Sequence, residues 1–124
     1  MIEEKEVLEI HSKLIKAFGG SHGIRDRTLL ESAIYRPFMT FDGKDLYETS
    51  IEKASAILES IVKNHPFIDG NKRTGYVLMR LLLLANGLDI VATQKEKYDL
   101  VIDIIAGKLD FEGIKGWIGE YLKK

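Results

Sequence analysis

Two apolar helical stripes joined by a short, densely polar connection constrain this chain more than any other feature. The first holds Ala54, Ile57, Leu58, Ile61 and Val62 at three- and four-residue steps. It must stop before Pro66, because the residue preceding a proline is pushed out of the α region. The second runs from Val77 to Ala85, apolar on most sides, and ends at Asn86-Gly87, a left-handed stop. A helix that is apolar nearly all round is usually buried. The second stripe is therefore expected to be the central helix.

The rest of the chain supplies amphipathic partners. Val7, Ile10, His11, Leu14 and Phe18 keep helical spacing until Gly19-Gly20. Thr28 with Glu31 has capping-box spacing ahead of Leu29, Leu30, Ala33 and Ile34, and Pro37 closes that helix. Thr49 with Glu52 opens the helix of the first stripe. Thr93 with Glu96 precedes Tyr98, Val101, Ile102 and Ile105, an expected inward face. Asp110 caps the last helix, where Ile114, Trp117, Ile118, Tyr121 and Leu122 share one side. Extended structure is hinted at twice: at Phe38 to Lys44, which contains the hairpin signal Asp42-Gly43, and at Leu88 to Ala92. The predicted fold class is all-α, a compact bundle of about six helices with a small excursion between the second and third. No linker or repeat interrupts it, so residues 1–124 read as a single domain.

Composition narrows the function. With 18 basic and 19 acidic residues the net charge is −1, which gives no support to direct nucleic-acid binding through a general basic field. There is no Cys, hence no disulfide, iron–sulfur cluster or thiolate zinc site. The run from Val77 to Ala85 is interrupted by Arg80 and too short to span a membrane. The N-terminus MIEEKEVLEI is acidic and amphipathic, unlike a secretory signal. A cytoplasmic protein is expected.

Packing alone does not explain the connection His65-Pro66-Phe67-Ile68-Asp69-Gly70-Asn71-Lys72-Arg73-Thr74-Gly75. Its residue types suit a phosphate site. Gly70 and the following backbone N–H groups lie where a helix begins, and the positive end of its dipole favours an anion. Arg73, in the first turn, offers a forked donor set matched to phosphate oxygens. Asp69 is a hard oxygen ligand of the kind that holds Mg²⁺ together with substrate phosphates. His65 ends the preceding stripe, which aims it inward, and an imidazole near phosphate can take a proton from an incoming hydroxyl. Blander roles compete. His65 can be a capping group, Asp69 can cap the following helix, Arg73 can pair with a neighbour and Lys72 can face solvent. His11 and His22 read as structural or surface groups, and Tyr98, Trp117 and Tyr121 as core. No P-loop pattern is present, and the histidine and carboxylate are too few for zinc.

The same segment resembles the signature of the Fic/Doc superfamily, whose Fic branch reads H-P-F-x-[DE]-G-N-G-R-x-x-R. His65, Pro66, Phe67, Asp69, Gly70, Asn71 and Arg73 match it position by position. Lys72 replaces a glycine and Tyr76 replaces the second arginine. Both departures are typical of the Doc branch, the death-on-curing toxins, with H-x-F-x-[DN]-[AG]-N-K-R. The stretch from Gly23-Ile24-Arg25-Asp26 to Arg36-Pro37 is also similar to the N-terminal region of that branch.

The resemblance implies a helical fold with the motif loop between two central helices. It implies the toxin of a toxin–antitoxin pair, a protein kinase that uses ATP and Mg²⁺ to phosphorylate a hydroxyl of the translation factor EF-Tu and so arrests translation. His65 would be the general base and Asp69 the Mg²⁺ ligand. Gly70, Asn71, Lys72 and Arg73 would hold the phosphates. Pro66 and Phe67 would be structural, with Phe67 anchoring the loop. The excursion at Phe38–Lys44 would be a flap that aligns the target. The implied partner is a Phd-like antitoxin, and a monomer is expected. The alternatives are AMP or another nucleotide transferred to a protein hydroxyl, as in Fic proteins, or a silent antitoxin-binding module.

Overall fold

The computed structural model describes residues 2–124. In chain order it contains α1 (Glu4–Phe18), α2 (Arg27–Tyr35), a 3₁₀ turn (Arg36–Phe38), β1 (Thr40–Phe41), β2 (Lys44–Asp45), α3 (Ser50–Asn64), α4 (Asn71–Leu84), α5 (Gln94–Ile105) and α6 (Phe111–Tyr121). The six helices and one tiny hairpin agree with the all-α expectation. β1 and β2 pair antiparallel, Thr40 with Asp45 and Phe41 with Lys44. Asp42 and Gly43 between them both have positive φ, as a two-residue hairpin loop requires.

Capping is largely local, so much of it follows from sequence. Thr49 and Thr93 accept from the backbone N–H of Glu52 and Glu96, each at 3.1 Å, and both glutamates reach back to the cap. Asp110 accepts from Gly113 N at 2.9 Å. The start of α2 is corrected: Asp26, not Thr28, is its cap, accepting from Leu29 N at 3.0 Å.

The centre of the bundle is also corrected. It is α3, whose Ala54, Ser55, Ala56, Ile57, Leu58, Ser60, Ile61 and Val62 are all buried. Helices α2, α4, α5 and α6 all pack on it. On α4 only one side is buried, and Arg80, Leu81 and Leu84 are exposed. Leucine richness identified α4 as apolar but did not say how many neighbours would surround it. On α5 the inward face is Leu100, Val101 and Ile104, while Tyr98 and Ile105 are exposed. The buried set is rotated from the expected one because the partner surface lies on the other edge of the stripe. Trp117 and Tyr121 are only partly buried, packed on the core and on each other. Leu88 to Ala92 is extended, with Ile90 bridged to Leu122.

α3 and α4 pack together, and the turn between them falls at one end of the bundle. Gly75 makes the close approach possible: a Cβ there would meet Val62 Cγ2 at 3.2 Å and Ile61 Cβ at 3.4 Å.

Candidate functional site

The turn from α3 to α4 is held from inside and beside it. Phe67 is fully buried. Its ring stacks on His11 of α1, with centroids 3.8 Å apart and planes 7° from parallel. Asn71 is 3% exposed. Its Oδ1 accepts from Phe67 N and its Nδ2 donates to Phe67 O, both at 2.9 Å. One amide therefore closes the loop with two bonds and satisfies two backbone groups that burial would otherwise leave unpaired. The Asn71 side chain is thus committed to the loop backbone. What the residue leaves without an acceptor is its backbone N–H.

A second segment, between α1 and α2, zips along the loop. Ile24 forms an antiparallel bridge with Phe67. Pro66 O accepts from Arg25 N at 2.7 Å and Asp26 N at 3.0 Å, and Ile68 N donates to Gly23 O at 3.0 Å. His11 Nε2 donates to Asp69 O at 2.8 Å. Asp69 itself is exposed; its Oδ2 accepts from Ser21 N at 3.2 Å and its Oδ1 from Gly70 N at 3.0 Å. Gly20 makes room for that carboxylate, since a Cβ there would lie 2.8 Å from Asp69 Oδ2.

His65 is the C-cap of α3, in a left-handed conformation with φ 52° and ψ 53°. Such a backbone costs a non-glycine residue roughly 1–2 kcal/mol. The chain leaves the helix at His65, so its side chain departs from the stripe and is exposed rather than aimed inward. A groove of about 590 Å³ opens beside it, lined by Val62, Lys63, His65, Asn71 and Lys72 and by Ile104, Ile105 and Gly107 at the end of α5.

Gly70, the N-cap of α4, is itself left-handed with φ 77°. A Cβ there would press on Ile15 Cδ1 at 3.0 Å and His11 Nε2 at 3.4 Å, so glycine is required twice over. The Gly70 N–H is already committed to Asp69 Oδ1, so the open donors start one residue later. The first intrahelical bond runs from Thr74 N to Gly70 O. Asn71, Lys72 and Arg73 therefore present backbone N–H groups with no acceptor among the described residues. Lys72 and Arg73 are exposed, and no carboxylate pairs with either among the described residues. The Arg73 guanidinium lies 4.3 Å from the ring centroid of Phe18, a cation–π contact that uses none of its N–H donors. A helix dipole, N–H groups without acceptors and unpaired cations at one helix start are features that favour an anion.

Tyr76 is half-buried, and burial pushes its phenol above the ordinary range. Its Oη is buried without a hydrogen-bond partner among the described residues. A neutral phenol thus stands where the Fic pattern has a second arginine. No group of three or more acidic or histidine ligands exists among the described residues. A divalent cation here would rest on the Asp69 carboxylate and on phosphate oxygens, as Mg²⁺ commonly does, and the exposed carboxylate fits that use.

Nothing in the sequence pattern assigns a role at the site to Phe18, Ser21 or Arg25, and His11 reads there as a structural or surface group. His11 is structural, but for the motif itself. The signal was the run Gly19-Gly20-Ser21-His22-Gly23, whose glycines all adopt positive φ where the loop turns against the motif.

The sequence profile described as the Fic/DOC family matches residues 1–83, a span that includes all of these motif groups. A protein named Toxin Doc from Mycolicibacterium smegmatis (strain ATCC 700084 / mc(2)155) is 42% identical over 76 residues, which is 61% of this chain and 58% of the relative. The chain thus matches somewhat under three fifths of that relative's length. With the motif, its geometry and the profile in agreement, the chain belongs to the Fic/DOC family.

Proposed function

We propose that this protein is the toxin of a toxin–antitoxin pair and acts in the cytoplasm as an ATP-dependent protein kinase. Its substrate would be a hydroxyl side chain of a translation factor similar to EF-Tu, and its effect the arrest of translation. The observation that carries this reading is an exposed imidazole, His65, that shares one groove with Asn71 and Lys72 at the start of α4, where the first N–H groups have no acceptor among the described residues. The likeness to a protein named Toxin Doc supports the toxin role and, with it, a neutralising partner, a Phd-like antitoxin.

The chemistry follows from those positions. The backbone N–H groups of Asn71 to Arg73, at the turn that Gly70 opens, bind and orient the triphosphate with Lys72 and the Arg73 fork. Mg²⁺ held by Asp69 would neutralise charge on the phosphate oxygens. A ring nitrogen of His65 accepts the proton of the target hydroxyl. The hydroxyl oxygen forms a bond to the γ-phosphorus, the bond from that phosphorus to the bridging oxygen breaks, and ADP leaves with the electron pair. Placement of charge where it develops, with proton transfer, is the main source of rate in such reactions.

Two departures from the Fic pattern favour phosphate over AMP transfer. Lys72 brings a long ammonium side chain to the groove where a glycine would leave space. Tyr76 removes a second arginine clamp and replaces it with a neutral ring. Incubation with EF-Tu and ATP labelled separately at the α and γ positions tests the reading. Label on the target from the γ position only is expected, and its loss by a factor of ~10²–10⁴ in His65→Ala. Label from the α position alone would replace the kinase reading with nucleotide transfer. Growth arrest by His65→Ala on expression would support a silent binding module instead.

A further inference from the structure

Arg25 lies outside the motif, yet it makes the closest contacts to the backbone of His65. Its Nε donates to His65 O at 2.6 Å and its Nη2 to Asn64 O at 2.8 Å. No carboxylate pairs with it among the described residues. A guanidinium in that state has its fork committed to two consecutive carbonyls at the end of α3. Its own backbone N–H and that of Asp26 both donate to the next carbonyl along, Pro66 O. Three successive carbonyls, those of Asn64, His65 and Pro66, are thus gripped by one dipeptide.

The residue in the middle of that grip, His65, is one of two β-carbon-bearing residues with left-handed φ among the described residues, the other being Asp42 in the hairpin loop. Its peptide orientation decides where the imidazole stands relative to the start of α4. Ordinary C-capping by an arginine needs only the last carbonyls of a helix. Here the Nε contact falls on the cap residue itself, past the last helical turn.

We propose that Arg25 is a positioning residue for His65: its guanidinium holds the His65 carbonyl, and so the imidazole, in the left-handed geometry used for proton transfer. This rests on the reading of His65 as the base. The contacts of Arg25 fall on Asn64, His65 and Pro66 and on no residue of the α4 start, so Arg25 is assigned to the base and not to ATP.

The test uses the full chain with Arg25→Ala, Arg25→Gln and Arg25→Lys. The three-bond coupling between the His65 amide and Hα protons distinguishes left- from right-handed φ. It should shift in Arg25→Ala and be restored in Arg25→Lys, which keeps one donor. In phosphoryl transfer, kcat should fall at least tenfold in Arg25→Ala while KM for ATP stays within twofold, with partial recovery in Arg25→Lys. Arg25→Gln gives the same measurements if the alanine variant does not fold. An unchanged coupling, or equal loss with Ala and Lys, would overturn the assignment. If the wild-type chain transferred no phosphate at all, the proposed function would fail, while the coupling would still decide whether Arg25 sets the His65 backbone.

Discussion

The two ends of α4 treat charge in opposite ways. At its start, Lys72 and Arg73 have no acidic partner among the described residues, and three N–H groups lack acceptors. At its end, Arg80 forms a forked pair with Asp89, at 2.7 and 3.0 Å. There Asp89 also accepts from Ile90 N at 2.7 Å, and Lys123 N donates to Asp89 O. Like charges gathered at the positive end of a helix dipole work against folding. A pair closed on itself beside the chain's last turn works for it. One end leaves its cations and N–H groups without an anionic partner among the described residues, whereas the other end has its anion, Asp89, supplied from within the chain.

The contrast breaks most sharply at His65. Replacing it by glycine relieves a left-handed backbone while removing the proposed base. His65→Gly should lower phosphoryl transfer by ~10²–10⁴ yet keep or raise stability by up to about 1 kcal/mol in urea denaturation. A large loss of stability would mean that the ring, not the chemistry, is what the loop needs.

Asn71→Ala should cost about 2–4 kcal/mol of stability, because it leaves the N–H and C=O of buried Phe67 unpaired. Thermal or urea unfolding measures it, and a loss of that size would show that the open end has rigid foundations. Arg73→Met should leave stability within about 0.5 kcal/mol and lower transfer by ~10–100-fold, with the loss seen mainly in affinity for the nucleotide.

The smallest effect belongs to the closed end. The Arg80 guanidinium and the Ile90 N–H hold the Asp89 carboxyl well below the usual carboxylate range. A depressed folded pKa contributes stability that is fully present above the unfolded value, near 3.9, and is lost as pH falls from there through the folded value. Asp89→Asn should therefore cost about 0.5–1 kcal/mol near neutral pH and flatten the acid side of the stability curve, with transfer activity unchanged.

Legibility in the sequence followed the range of the interactions. Caps at Thr49, Thr93 and Asp110 and the stops at Pro37 and Pro66 involve groups a few residues apart, and they stand as read. The motif could be located because so many chemistry-bearing residues have no packing reason to sit together between two apolar stripes. The shift of the α2 cap to Asp26 has a tertiary component. Asp26 N is also fixed on Pro66 O, a contact as distant along the chain as that of Arg25 with His65. The rotated face of α5 and the centrality of α3 depend on which neighbours arrive, and periodicity carries no record of that.

The sequence by itself determined six helices, most of their ends and the location of the polar motif between two of them, since hydrophobic period, capping and side-chain type are local properties. Only the tertiary structure decided where each motif residue is held. It turned the Asn71 amide to the backbone of Phe67, swung His65 out of its stripe, and set His11, Ser21 and Arg25 against the loop. Those outcomes depend on hydrogen bonds between segments far apart in sequence, which form only when the packed core brings both halves of the site to the same end of the bundle.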